Sequence, residues 1–551
     1  MTTLRAPAAE GRTPTLPRTP FDLLLVVFML TAALGVWAAY DRDLAWGKFG
    51  MLAAAVVVYY LLALQPPARA GWAAGALTVA AAGLSVYFLL VHDWVSLPAD
   101  IGVLNRLALA WMAWRPPLTG SLNHNLAGGV LAMLAPYTLA LILNAWRSRR
   151  WALAAAWSVL AAVILAGELL ASSRGAMLAL AVGLSLWAVW GLCGWLAAAA
   201  SWPRRWLFGA GLALGAAATV ALVGWLPGGW EGLAHRVLGS DSGAARVDLV
   251  VNTYHLATDF LLTGGGLRAF EGLYSRYAMV IQVPLFTYGH NLYLDVLLEQ
   301  GLLGWLALSG LGLGALVRLA RAKTADADVE ALRWATLVSV SVVLLDGFFD
   351  DALYQNAGTP LLFAWAGMAA AVTGGQAPGR ASARRWAAAG AGAVVLAGIL
   401  LGRPGLAALY ADVGAVLMAR AELADWPERG QTPADLGEAR WWLERAAQVE
   451  PTQPVADHRL GLLALSAGDY AEAVTWLERA YQATPGDRGV RKNLGYAYAW
   501  LGEADQAAPL LAGLAEAPGE LETYAWWWGT QGRPDLAGYA TDVTTRLAAL
   551  P

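Results

Sequence analysis

The stretch Thr287–Trp305, TYGHNLYLDVLLEQGLLGW, decides how the chain is read. A polar cluster of Tyr288, His290 and Asn291 runs straight into a long apolar helix, within which Asp295 and Glu299 stand one turn apart. If that helix crosses a bilayer, a titratable histidine lies at its mouth and two carboxylates within its first three turns. Ionisable groups at such depth are costly and mark a functional site by default.

Composition supports the bilayer. The 551 residues are 58% hydrophobic and only 14% charged, with a mean hydropathy of +0.49, whereas a soluble domain carries about 25% charged residues. The 28 tryptophans suit anchoring at the headgroup zone. A net charge of −3 implies no polyanionic partner and excludes a nucleic-acid reading. The single cysteine, Cys193, excludes a disulfide framework and a zinc cluster. Residues 1–20 form a polar tail with Arg5, Arg12 and Arg18. The run Phe21–Tyr40 that follows is long enough to stay in the bilayer as an anchor.

The expected fold class is all-α: a polytopic bundle of about 11 spans, then a helical repeat domain. Apolar runs of spanning length fall at about 21–40, 49–64, 72–91, 126–146, 152–171, 176–198, 206–226, 291–319, 331–349, 358–375 and 385–402. Between them Arg147, Arg149 and Arg150, then Arg204 and Arg205, then Arg318, Arg321 and Lys323, then Arg380, Arg384 and Arg385 alternate regularly. The positive-inside rule makes these loops cytoplasmic. The tail 1–20 is then inside, while the loop 227–290 and everything after about 403 lie outside. Ile101–Trp114 is apolar but short and carries Arg106, so it reads as re-entrant or interfacial.

The membrane domain therefore covers 21–402 and an extracytoplasmic domain 403–551. In the latter, Leu460, Gly461, Gly468, Asp469, Tyr470, Ala473, Ala480 and Pro485 sit at tetratricopeptide spacings. A second copy carries Leu494, Gly495, Gly502 and Ala507, a partial one Ala439, Ala446 and Pro451, and a degenerate closing pair begins near Glu522. Such repeats stack into a curved surface that holds a peptide or protein.

All six histidines fall on the expected outer side, with Arg174, Arg236, Arg246, Arg268 and Arg276. Arginine there runs against the charge rule, and converging guanidinium forks would clamp a pyrophosphate. No G-x-x-x-x-G-K-[ST] loop and no metal-ligand spacing is present, so nucleotide hydrolysis and a metal site are not expected. Each candidate has a plainer alternative. His290 is also suited to a headgroup or carbonyl, and Arg174 to snorkelling toward lipid phosphate. Asp295 and Glu299 are suited to structural pairing with arginines. Asn123-His124-Asn125 is suited to capping the next helix, and Gly264-Gly265-Gly266 to a tight turn. Asp346, Asp350 and Asp351 flank the outer end of a span as solvated carboxylates.

The motif His290-Asn291-x-Tyr293-Leu294-x-x-Leu297-x-Glu299-x-Gly301-x-x-Gly304 resembles the signature of the O-antigen ligase/polymerase superfamily. Upstream, Arg246 and the block Asp259–Phe270 (DFLLTGGGLRAF) are similar to a second family block, with Leu262-Thr263 where a proline is usual. Ser173-Arg174-Gly175 and Asn123-x-Asn125-Leu126-Ala127-Gly128 match two more, in the family's order. The resemblance implies a membrane glycosyltransferase of the GT-C type, without metal or cofactor, in the cytoplasmic membrane. Its donor would be a polyprenyl-pyrophosphate-linked glycan at the outer face. Within it, His290 is expected to be the base, or to orient the acceptor hydroxyl, with Arg174 and Arg246 on the pyrophosphate. Arg268, Asn291, Tyr293, Glu299 and Asn125 are expected to bind substrate or support His290. Besides the glycan, the expected partners are membrane lipids and a protein partner or acceptor on the repeats. The competing expectations are a protein O-oligosaccharyltransferase and, from another class, a lipid-linked glycan transporter.

Overall fold

The computed structural model describes residues 19–99, 101–116, 118, 120–200, 203–225, 241–279, 286–355, 357–374, 392, 402–424, 426–427 and 435–550. Apart from turns and connecting segments, these residues are helical. The membrane part comprises α1 (Asp22–Ala38), α2 (Arg42–Ala63), α3 (Ala70–Val91), α4 (Gly102–Trp114), α5 (His124–Arg147), α6 (Trp151–Ala171), α7 (Arg174–Ala200) and α8 (Arg204–Trp225). After two helices of the long loop, α9 (Asp241–Thr258) and α10 (Phe270–Tyr277), it continues with α11 (Leu292–Arg321), α12 (Ala327–Asp346) and α13 (Ala364–Val372).

Among the described residues six helices are long and apolar enough to cross a membrane: α2, α3 with its preceding turn, α5, α6, α7 and α11. Helix α1 and the segment Thr359–Val372 are shorter apolar helices. Ten of the expected apolar runs coincide with helices, and the eleventh, 385–402, lies almost wholly outside the described residues. Helix α4 has 13 residues, about 20 Å at 1.5 Å per residue, too short for a hydrocarbon core of about 30 Å. It is tied to the end of α3, where Trp111 and Arg115 both donate to the Leu89 carbonyl.

Helix α5 is the axis of the bundle. Its apolar window is 78% buried against 22–44% for the other five, and α3, α6, α7 and α12 pack around it. At one end of α5, Asn144 and Arg147 donate to the carbonyls of Asp328 and Ala327 at the start of α12. Arg318, at the end of α11, donates to Thr373 on the same side. This basic end is opposite the end where α5, α7 and α11 begin and α12 stops.

Helix α11 is not continuous. Gly301 adopts φ 70° and ψ −173°, which splits it into Leu292–Gln300 and Leu302–Arg321. The turn 261–266 of the long loop enters the break. Leu302 N–H donates to the Leu261 carbonyl (2.8 Å) and Gly265 N–H to the Leu298 carbonyl (2.6 Å), restoring bonds that the break removes. Leu267 N–H reaches the Gly35 carbonyl of α1 (2.9 Å), so the turn is wedged between two membrane helices.

The C-terminal part is α14 (Arg403–Glu422), α15 (Gly437–Val449), α16 (Pro454–Ala467), α17 (Tyr470–Ala483), α18 (Arg488–Trp500), α19 (Ala504–Leu511), α20 (Ala517–Thr530) and α21 (Pro534–Ala549). Three successive pairs repeat one contact: a glycine of the first helix receives a leucine of the second, Gly414 with Leu443, Gly461 with Leu477 and Gly495 with Leu511. A side chain at any of the three glycines would overlap that leucine. The closing pair begins at Ala517, five residues before its expected start, with Pro518 in its first turn.

Candidate functional site

Helix α11 begins at a cap. The Asn291 side chain accepts from the N–H groups of Tyr293 and Leu294 (both 3.1 Å), and its amide donates to the Phe348 carbonyl (3.3 Å). The preceding turn is held from inside the helix, where Asp295 accepts the Gly289 N–H (2.9 Å). This leaves His290 in the left-handed region, φ 50°, and Arg268 shares that conformation at φ 65°. Such backbone costs of order 1–3 kcal/mol per residue and persists where surroundings over-determine it, typically at working sites.

His290 Nδ1 lies 3.4 Å from Asp350 Oδ2, with the imidazole 28% and the carboxylate 5% exposed. In the tautomer that donates Nδ1–H to this carboxylate, Nε2 is left as the acceptor. The Tyr288 ring packs on the imidazole at 4.4 Å between centroids. Tyr288 Oη accepts from the Asn123 amide (3.3 Å), and Asn123 caps α5 through the N–H groups of Asn125 and Leu126. Burial and the Asp350 and Asp351 carboxylates push the Tyr288 phenol up, so it stays protonated.

Arg174 is the first residue of α7, just after Ser172 at φ 50°. The next residue, Gly175, lets Asp346 and Phe349 approach so closely that a Cβ would be 2.9 Å from each. Gly175 and His290 therefore both adjoin the segment Asp346–Asp351 that leaves α12, and Arg174 precedes Gly175 at the start of α7. That segment is not solvated as its sequence suggests: Asp346, Asp350 and Asp351 are 6%, 5% and 1% exposed. The chain turns back under α11 here, Leu292 N–H donating to the Gly347 carbonyl, and carries its carboxylates inward. Burial first, then Asp295 and Asp350, push the Asp351 carboxyl well above the ordinary carboxylate range.

Deeper along α11 is a second centre. Glu299 and Lys48, both fully buried, form an ion pair. Gln355 bridges it, accepting from Lys48 (2.8 Å) and donating to Glu299 (3.0 Å), while the ammonium sits 3.5 Å from the Tyr354 ring. The Arg268 N–H donates to Glu299 (3.0 Å), and its guanidinium to the Gln355 carbonyl (3.0 Å). The turn in the break of α11 thus presents Arg268 next to a buried, locally neutral pair.

Of the expected site residues, His290 stands against Asp350, Arg174 opens α7, and Arg268 meets Glu299 at the deeper centre. Asn291 is occupied in capping, Tyr293 Oη donates to the Leu344 carbonyl (2.6 Å), and Asn125 lies in the first turn of α5. Arg246 is exposed on α9, two turns before Thr253, the residue facing Gly289. Sequence reasoning missed Lys48 and did not enlist Asp350. Among the described residues no group of three or more His, Cys, Asp or Glu side chains is placed to hold a metal ion.

The fold and site define a polytopic helical membrane protein with ionisable groups gathered where three helices begin. Residues 165–309 match the family model described as O-antigen ligase, and residues 464–524 the model described as tetratricopeptide repeat. These matches support a likeness to the O-antigen ligase superfamily, with a tetratricopeptide repeat in the C-terminal part. The first match includes Arg174, Arg246, Arg268, His290 and Glu299, and excludes Lys48, Asn123 and Asp350. No curated protein and no solved structure matches the chain significantly.

Proposed function

We propose that the protein transfers a glycan from a polyprenyl-pyrophosphate carrier to an acceptor hydroxyl at the outer membrane face, polymerising or ligating a surface polysaccharide. The observation that carries this reading is the His290–Asp350 pair at the mouth of α11, with His290 and Arg174 both inside the stretch that matches the ligase family model. Asp350 orients the imidazole and supports its positive charge as Nε2 takes the acceptor proton. The acceptor oxygen forms a bond to the anomeric carbon while the bond to the phosphate oxygen breaks, so the centre inverts. The lipid pyrophosphate leaves with the electron pair, and its growing charge falls to Arg174 and Arg246, with Arg268 contributing from below. Guanidinium groups supply the charge neutralisation, so the step as written requires no metal.

The test is a reaction of purified protein with a polyprenyl-pyrophosphate oligosaccharide, read by gel and mass spectrometry, wild type beside His290→Ala. The expected result is a product in the wild type that falls at least 100-fold in the variant, the usual size of a general-base contribution. A ladder of longer lipid-linked chains identifies a polymerase, and a glycosylated peptide or lipid names another acceptor. Labelled lipid-linked glycan crossing a bilayer at unchanged mass would overturn the transferase reading in favour of a transporter.

A further inference from the structure

The expected task of the repeat domain is to hold a peptide or protein on its curved face. In the structure that face holds this chain's own outer loop. The first helices of successive pairs, α14, α16 and α18, pack side by side, and α9 and α10 lie against them. Arg459 of α16 is fully buried and pairs with Asp259 at 2.6 Å, its guanidinium stacked 4.0 Å from the Tyr277 ring. Arg488 of α18 pairs with Asp248 of α9 at 2.9 Å. His255 of α9 meets Asp487 at 3.3 Å. Arg276 and Tyr277 of α10 both reach Glu422 at the end of α14, each at 2.7 Å.

The grip extends to the site. Asp412 of α14 accepts the N–H groups of Leu262 (2.6 Å) and Thr263 (3.2 Å) and the Thr263 hydroxyl. These are the residues of the turn that fills the break in α11 and leads into Arg268. One apolar core also joins all the parts: Ala38 of α1, Phe260 and Phe270 of the loop, Leu298 of α11, and Val416 and Ala419 of α14.

We propose that the tetratricopeptide domain works in cis as a clamp on the outer loop, with Asp412 and Arg459 as positioning residues. They hold the turn Asp259–Arg268 in the break of α11 and so fix where Arg268 and the Glu299–Lys48 pair stand. The catalytic consequence rests on the transfer reading above; the clamp itself does not. A loop released from Asp412 leaves two backbone donors at the break without their acceptor, and the turn becomes free to withdraw. Arg268 then no longer meets the leaving phosphate, whereas His290 keeps its own hold through Asp350 and the Asn291 cap.

The experiment uses the full chain in lipid nanodiscs and reads both hydrogen exchange at residues 261–268 and transfer kinetics. Asp412→Asn is expected to speed exchange of the Leu262 and Thr263 amides at least tenfold. It should lower kcat about tenfold while the acceptor KM changes less than threefold. Because a buried substitution can impair folding, the exposed pair provides a second arm. Asp248→Lys places two like charges together at Arg488 and should speed loop exchange and lower kcat about threefold. Unchanged exchange at 261–268 in folded Asp412→Asn would overturn the clamp, as would unchanged loop exchange in Asp248→Lys. Faster exchange with unchanged kcat would overturn the positioning role. If the wild type transfers no glycan, the functional reading fails while the exchange comparison still decides the clamp.

Discussion

Lys48 and Glu299 show how much of this site depends on single side chains. Each is fully buried, and breaking such a pair by removing one partner typically costs about 3–5 kcal/mol, because a charge is left uncompensated. Glu299→Gln should therefore lower the thermal unfolding temperature sharply, whereas Lys48→Met combined with Glu299→Leu should recover most of the loss. Scanning fluorimetry in detergent checks this, and equal losses in the single and double variants would show that the pair's charge is not what matters. Neither partner could be matched from sequence. Lys48 sits at the edge of an apolar run, where it reads as a loop cation, and its partner lies 251 positions away. Asp350 was hidden for the same reason: flanking position suggests water, and only the inward turn after α12 reveals burial. A pH effect belongs to His255. Its side-chain hydrogen bond to Asp487 and the nearby Asp487 and Asp259 charges raise its pKa against burial and Arg488. Its contribution is thus complete below the unfolded value of about 6.5 and is lost as pH rises through the higher folded value. Buried His458, facing Asp259, Asp487 and Arg459, is shifted the opposite way, so bulk stability against pH mixes the two. The difference in melting temperature between wild type and His255→Asn isolates one of them, and should be larger at pH 6 than at pH 8.

At the scale of elements, the break in α11 organises the site. A sequence reading sees a glycine in an apolar run and infers close helix packing, and it sees Gly264-Gly265-Gly266 as a turn in a loop. The turn reading holds, whereas Gly301 breaks the helix instead of packing it against a neighbour, and their meeting follows from neither reading, because it depends on a loop turn some 35 residues before the break it enters. Gly264 has φ 74°, and a Cβ there would lie 2.7 Å from the Gln300 nitrogen and overlap the Glu299 carbonyl. The conformation alone costs an alanine on the order of 1–3 kcal/mol, and backbone cannot swing aside as a side chain does. Gly264→Ala should therefore lower transfer at least tenfold and speed exchange of the Leu302 amide. Gly50 of α2 has open space around it, so Gly50→Ala is the matched control and should be neutral within about 0.5 kcal/mol. Loss of activity in both would make the effect one of membrane-helix glycines in general. The repeat helices were legible at this scale because each pair solves its packing locally, glycine against leucine, within about 30 residues.

Across the whole molecule, charge and architecture agree. Counting arginines between apolar runs sorts the loops into two sets, and the structure gathers Arg147, Arg318 and the start of α12 at one end. His290, Arg174 and the long loop that meets the repeats are at the other. The sequence could express this division because it is a property of composition along the chain and needs no knowledge of contacts. The curved surface of the repeats reads from sequence as a site for a partner, since the loop that meets it carries no repeat signal of its own. The positive-inside rule then assigns the basic end to the cytoplasm and the site with the repeat domain to the outside. Two single-cysteine reporters test that orientation, with the native buried Cys193 replaced by alanine. Ser148→Cys lies in the exposed turn between α5 and α6, and Thr541→Cys on the exposed side of α21. A membrane-impermeant maleimide added to spheroplasts should label the cysteine at 541 and leave that at 148 unlabelled until the membrane is opened. Labelling at 148 alone would invert the topology and place the glycan chemistry on the cytoplasmic side, where the transfer reading fails. Labelling of both from one side would mean that the two ends of the bundle do not face opposite compartments.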